Sequence, residues 1–239
     1  VELPKLIKLK IQFVLHLFSG QRRPGDFQDH FDSIAYASGI QRGSIVVLSI
    51  DIVLHQLGDL TNPKSVALWT DLVLLELVTF IIGGPPCETF SAARFNALPE
   101  GTSGPRPLRS LEHLWGLPAR TRAESKQLQI GNSLLRAMIQ LKIAASMRNT
   151  TAVIMEHPAL ATWLPEAPSS WLLPELVWLK QHSRGDSLDI DQCSYGAPSK
   201  KPTTLQSINC PQLRLHIATT PNHARCNCSL PHPKVLIGK

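Results

Sequence analysis

Cys87 stands in Ile82-Gly83-Gly84-Pro85-Pro86-Cys87-Glu88-Thr89-Phe90-Ser91, directly after an apolar run. Two consecutive prolines fix φ, so the turn is stiff and the thiol that follows is held in one place. A cysteine there is a candidate nucleophile, reactive as the thiolate, and it needs a cation or free backbone amides to lower its pKa. Arg94 is the basic residue closest in sequence. Glu156, in Val153-Ile154-Met155-Glu156-His157-Pro158, leaves a second apolar run. A carboxylate in that position is costly without a partner, which makes it a functional candidate. Asp51 ends a third run, Ile45–Ile50, where a carboxylate can accept hydrogen bonds from ribose-type hydroxyls. Phe18-Ser19-Gly20 follows a fourth, Gln12–Leu17, and its turn offers backbone N–H groups to an anionic ligand. Asp59, in Leu57-Gly58-Asp59-Leu60, is placed to read an exocyclic amine.

These residues need strands that bring them to one edge. Gln12–Leu17, Ile45–Ile50, Val78–Ile82, Ala152–Met155 and Ser187–Asp191 are short apolar or β-branched stretches that predict strands. Phe27–Ser38, Lys64–Leu75, Arg122–Met147 and Ser169–Gln181 carry helical composition or spacing between them. The alternation predicts an α/β class with a doubly wound, mainly parallel sheet, and ligands on such sheets sit beyond the strands' carboxyl ends. Residues 95–121, rich in Pro, Gly and Arg, form a predicted loop inserted after the nucleophile. The expected division is a body over 1–208 and a Cys/His/Pro-rich tail over 209–239, with no internal repeat.

Composition bounds the rest. The 239 residues are 43% hydrophobic, which excludes a disordered tail or a membrane bundle. The longest apolar stretch, Leu72–Ile82, carries Glu76 and is too short to span a bilayer. Lys5, Lys8 and Lys10 before Ile11–Phe18 imitate a signal peptide, but Gln12 and His16 interrupt the run and no small-residue cleavage site follows. Five cysteines without framework spacing fit a reducing, intracellular compartment, nuclear or cytoplasmic. Of the formal net charge of +6, all is carried from Gln192 onward, where Lys200, Lys201, Arg214, Arg225, Lys234 and Lys239 face no acidic residue. Such a segment suits a polyanion.

In this motif order the chain resembles the DNA cytosine-5 methyltransferases, over roughly residues 12–208. Phe18-Ser19-Gly20 is similar to their cofactor-binding Phe-x-Gly, Asp51 to their ribose-binding acid, Gly84-Pro85-Pro86-Cys87 with Phe90-Ser91 to their nucleophile motif, and Glu156 to their Glu-Asn-Val glutamate. Gln192-Cys193-Ser194-Tyr195-Gly196-Ala197-Pro198-Ser199-Lys200-Lys201-Pro202 resembles their Tyr-Gly-x-Pro segment. The resemblance implies a Rossmann-like fold and S-adenosylmethionine as cofactor, bordered by Phe18, Ser19, Gly20, Asp51, Asp59 and Pro85. It implies a Cys87 adduct on cytosine, steadied at the ring nitrogen by Glu156. DNA is the implied partner, with RNA as the alternative polynucleotide and no membrane involvement. Ser91, Arg94, Arg106, Arg109, Lys200 and Lys201 are the expected nucleic-acid contacts, and the 95–121 loop is expected to close over a flipped base.

The chain departs from that pattern at Gln21-Arg22-Arg23, at Glu156-His157-Pro158 and at Lys200-Lys201, where small residues, Glu-Asn-Val and arginines are usual. Only about forty residues follow the Tyr-Gly-x-Pro segment, too few for a separate target-recognition domain. A non-catalytic nucleic-acid-binding module within a larger polyprotein, such as that of a mobile element, is therefore the competing expectation. In the tail, Cys226, Cys228, His223 and His232 are a candidate structural zinc set, although Cys-x-Cys is not a standard knuckle spacing.

Overall fold

The structure is a computed structural model, and it describes residues 11–41, 43–95, 104–118, 120–219, 225, 226, 228 and 232. Six strands are assigned: β1 (Gln12–Leu17), β2 (Ile45–Ile50), β3 (Val78–Gly83), β4 (Ala152–Pro158), β5 (Asp186–Asp191) and β6 (Pro202–Ile208). The helices are α1 (Phe27–Ala37), α2 (Pro63–Leu74), α3 (Arg122–Ser146), α4 (Pro174–His182) and α5 (Gln212–Ala218). The strands form one mixed sheet in the order β2-β1-β3-β4-β6-β5, so the protein is of the α/β class. Strands β1 to β4 are parallel, and β6 runs antiparallel to both of its neighbours.

Local chemistry starts the helices where they start. Asp26 accepts the Asp29 N–H ahead of α1, Asn62 accepts the Lys64 N–H ahead of Pro63, and Thr121 and Glu124 close a capping box on α3. Leu135, Met138, Leu141 and Ala145 recur at helical spacing on α3 and meet Leu15, Leu17, Ile81, Val153 and Met155 of the sheet in one buried core. Helix α2 packs on α3 and α3 on α4, so these three share one face. His16 alternates with Leu15 and Leu17, and its ring lies 4.9 Å from Phe27, which puts α1 on the opposite face.

The chain runs from β1 outward to β2 and then back across β1 to β3, so the crevice between the carboxyl ends of β1 and β3 is a topological switch point. The backbones approach closely there. A Cβ on Gly83 would lie 2.9 Å from Leu17 Cβ, inside contact distance.

All five expected strands are present, with ends shifted by a few residues at most. Five of the six strands run the same way, so the sheet is mainly parallel but mixed, and the exception is β6, a strand that the sequence did not announce. Its Thr203, Thr204, Gln206 and Ser207 are buried polar residues, so it lacks the apolar period of its neighbours. Their partners replace that signal: the Thr204 hydroxyl donates to Asp189 at 2.6 Å and Gln206 accepts from Lys142. The helix expected over Ser169–Gln181 splits into a 3-10 turn, Ser170–Leu172, and α4, with Pro174 in the first turn of the helix. Among the described residues no helix is long and apolar enough to cross a membrane.

Lys142 is fully buried on α3, and burial pushes its ammonium down from 10.5 to about 7. Between those values the unfolded chain holds a proton that the folded chain has released, so stability rises with pH from about 7 to 10.5. Urea unfolding at pH 7 and pH 9.5 should show the rise in the parent protein and its loss in Lys142→Met.

Candidate active site

Four adjacent strands, β2, β1, β3 and β4, end at the same edge with Asp51, Phe18-Ser19-Gly20, the Gly84–Cys87 turn and Glu156, respectively. Phe18 leaves β1 with φ at +56° while its N–H donates to the Ile50 carbonyl at 2.9 Å, a costly conformation for a bulky residue. Gly20, at φ +67°, donates its N–H to Asp51 Oδ2 at 2.9 Å, and Asp51 Oδ1 accepts from Val53 N at 3.1 Å. Asp51 thus ties the β1 turn to β2. Gly58 rests on the Asp51 backbone, where a Cβ would come within 2.2 Å of the carbonyl oxygen. That contact returns the chain to the site beside Asp59, whose Oδ1 accepts from the Thr61 N–H and hydroxyl at 3.0 and 2.6 Å.

Cys87 has φ −98° and ψ 1°, in the sparsely occupied bridge region, and opens the 3-10 turn Glu88–Phe90. Pro85 is buried and Pro86 exposed, so the turn is anchored on one side only. Glu156 lies against the same turn, since a Cβ on Gly84 would meet its Oε2 at 2.5 Å. Its Oε1 accepts from Gln192 Nε2 and Lys201 Nζ, both at 3.1 Å. Burial pushes the Cys87 thiol up from its ordinary value; the Lys201 ammonium opposes this and the Glu156 carboxylate adds to it. Cys87, Glu156 and Lys201 are therefore one electrostatic unit.

The expected arginines belong to other tasks. Arg94 is buried, and it donates to the carbonyls of Glu88 and Arg106 at 2.7 and 2.9 Å and to Gln127 at 3.2 Å, so the cation that favours the Cys87 thiolate is Lys201 instead. Arg109 is 1% exposed, donates to Thr89 Oγ1 at 3.0 and 2.8 Å and to Asn132 Oδ1 at 2.7 Å, and lies 3.9 Å over the Phe90 ring. Burial pushes its guanidinium down to about 9. It is a peg that docks the inserted segment on α3 and on the turn after Cys87, and it offers nothing to a phosphate. Arg106 makes a two-toothed pair with the capping-box Glu124, at 2.7 and 2.9 Å. Ser91 is half-buried and its hydroxyl accepts from Ala93 N at 3.3 Å. Lys201 is turned to Glu156, which leaves Lys200 as the exposed member of that pair.

Three partners escaped the sequence reading. Gln192 and Lys201 are separated from Glu156 by more than thirty residues and meet it only through the sheet. His157, next to Glu156, is buried against Phe90 and Trp171, its Nδ1 2.7 Å from the Ser170 hydroxyl, and burial pushes it down to about 3. It is a neutral packing residue that fixes the end of β4.

The described tail residues return to the same end of the sheet. Ligand atoms of Cys193, Cys226, Cys228 and His232 all lie within 4.8 Å of one another and could hold a metal ion. The expected set changes by one member: Cys193 enters, and His223 lies outside the described residues. A cleft of about 490 Å³ lined by Asp32, Tyr36, Ile40 and Ile45 sits at the opposite end of the strands, away from these groups. The chain matches no protein-family model and no curated protein.

Two outcomes are expected. Alkylation of Cys87 followed against pH should shift to higher pH in Lys201→Gln and to lower pH in Glu156→Gln, because the two charges act on the thiol with opposite sign. Arg109→Leu, which strips donors from Thr89, Asn132 and the Leu114 carbonyl, should cost about 2–4 kcal/mol in denaturant unfolding.

Proposed function

We propose that the chain is a divergent S-adenosylmethionine-dependent domain of the DNA cytosine-5 methyltransferase kind, which attacks cytosine through Cys87. One observation carries the reading: the nucleophile, the carboxylate beside it and the glycine–aspartate pair end four adjacent parallel strands around the switch point. The run β2-β1-β3-β4 also suits a Rossmann-like sheet, in which ligands lie across that crevice.

The donor set fits the cofactor. Asp51 accepts one backbone hydrogen bond on each oxygen and retains lone pairs for ribose hydroxyls. Gly20 faces open space, with nothing within 4 Å of a Cβ built on it, so the Phe18–Gly20 turn leaves room for a ligand. When bound, the cofactor supplies an electrophilic methyl group on a sulfonium.

Cytosine is electron-poor at ring carbon 6. The Cys87 thiolate adds there as the ring nitrogen takes up a proton, and carbon 5 becomes nucleophilic; loss of the carbon 5 proton to solvent water, release of the ring-nitrogen proton and departure of the sulfur later restore the ring and the thiolate. Negative charge that reaches the ring nitrogen needs a proton donor. Glu156 is placed to hold the ring nitrogen in a protonated state, with its Oε1 fixed by Lys201 Nζ and Gln192 Nε2. Oε2, against Gly84 and with no donor among the described residues, is the oxygen left for the base. The reacting carbon is hidden in a duplex, so a double-stranded substrate must present a flipped base.

Transfer of labelled methyl groups from S-adenosylmethionine to cytosine-containing duplex, with single-stranded DNA and RNA in parallel, tests this. Cys87→Ser should lose transfer by at least about 10³-fold and keep cofactor binding in calorimetry. Asp51→Ala should weaken cofactor binding. A folded chain that binds nucleic acid but no cofactor would establish the non-catalytic module in its place.

A further inference from the structure

The tail presents a separate site. Cys193 lies in the 3-10 turn Gln192–Tyr195 that follows β5, while Cys226, Cys228 and His232 arrive from beyond α5. The Cys193 thiol lies within 4.8 Å of the Cys226 and Cys228 sulfurs, and Cys226 Sγ is 3.5 Å from His232 Nε2. Three thiols and an imidazole within 4.8 Å of one another approach the ligand edge of a tetrahedral zinc–thiolate centre, about 3.8 Å for Zn–S bonds near 2.3 Å. Soft sulfur donors with one nitrogen select zinc over hard cations such as magnesium or calcium.

We propose that Cys193, Cys226, Cys228 and His232 form a Cys3His structural zinc site that clamps the tail to the end of β5. Four protein ligands close the coordination sphere, so the ion has no open position for a substrate. Its surroundings are built for the task. Cys226 N donates to Asp191 Oδ2 at 2.9 Å and Arg225 pairs with Asp189 at 3.3 Å, which fastens these two residues to the edge strand β5. Lys200 acts on the Cys226 sulfur from nearby and offsets the net negative charge that three thiolates leave on a divalent ion. The clamp also has a structural reason. Ile217 is the one buried residue of α5, so apolar burial alone gives that helix little hold. Because Gln192 neighbours Cys193 and donates to Glu156, the metal steadies the turn that supports the carboxylate. The zinc assignment itself stands apart from the methyltransferase reading.

The test uses the full chain, purified under reducing conditions without chelator. Elemental analysis should find one zinc per chain, and cobalt(II) substitution should give thiolate charge-transfer absorption with intense tetrahedral ligand-field bands. Cys228→Ser, at an exposed position that the core does not need, should lower zinc affinity by more than about 100-fold, while Cys87→Ser and Cys210→Ser leave it unchanged. Alkylation mapped by mass spectrometry covers the case of a variant that fails to fold. Cys193, Cys226 and Cys228 should be protected in the parent protein until a chelator is added. A reduced, folded chain that takes up no zinc, affinity that survives Cys228→Ser, or equal labelling of these cysteines with and without chelator would each overturn the proposal.

Discussion

A carboxylate that emerges from a buried strand must find donors, and the answer given to Glu156 organises this end of the molecule. Lys201 and Gln192 hold one oxygen, and the other lies against Gly84. Strand direction makes this feasible. Because β6 runs antiparallel to β4, the start of β6 meets the end of β4, with Thr203 opposite Pro158 and Lys201 just before. A parallel β6 would have brought Ile208 to that place. A side chain at position 84 would collide with the carboxylate, so the glycine before Pro85-Pro86 is a packing requirement as well as a turn requirement. The thiol, the carboxylate and the ammonium are thereby locked to one scaffold, and the two charges act on the thiol with opposite sign.

Much of this was legible in the sequence, for a physical reason. Strands β1 to β4 are buried on both faces or nearly so, and they appear as short apolar, β-branched runs that end in residues with reactive chemistry. The helices are legible from composition and spacing alone, and their caps at Asp26, Asn62 and Thr121 emerge only in the structure. What stayed hidden depends on contacts far apart in the chain. Strand β6 is buried through polar side chains, so its composition resembles a loop. Arg109 sits in a Pro- and Gly-rich stretch that looks solvent-facing, yet Thr89, Asn132 and the Phe90 ring draw it inside. No local pattern distinguishes a buried, fully hydrogen-bonded arginine from a phosphate ligand.

The basic C-terminal segment acquires a different meaning as well. Sequence alone gives it six cations and no anions, a profile that suits a polyanionic partner. Three of those cations meet carboxylates of the sheet: Lys201 with Glu156, Arg214 with Asp186 and Arg225 with Asp189. Strand β5 supplies aspartates at 186, 189 and 191, so the segment's charge is matched first by the protein's own edge strand. Exposed ion pairs of this kind contribute little stability one by one, but they fix the direction in which the tail runs. Lys200 remains exposed, next in the chain to Lys201.

The central claim is that Cys87 adds to cytosine at the end of β3 with Glu156 and Lys201 beside it. The most direct measurement is covalent capture on duplex DNA that contains 5-fluorocytosine, whose fluorine replaces the carbon 5 proton that must leave before the sulfur can depart. With S-adenosylmethionine present, the account predicts one protein–DNA adduct that maps to Cys87, disappears in Cys87→Ala and, at a pH where the thiol is mostly protonated, forms more slowly in Lys201→Gln. A folded, cofactor-bound chain that yields no adduct, or an adduct on a different residue, would contradict it.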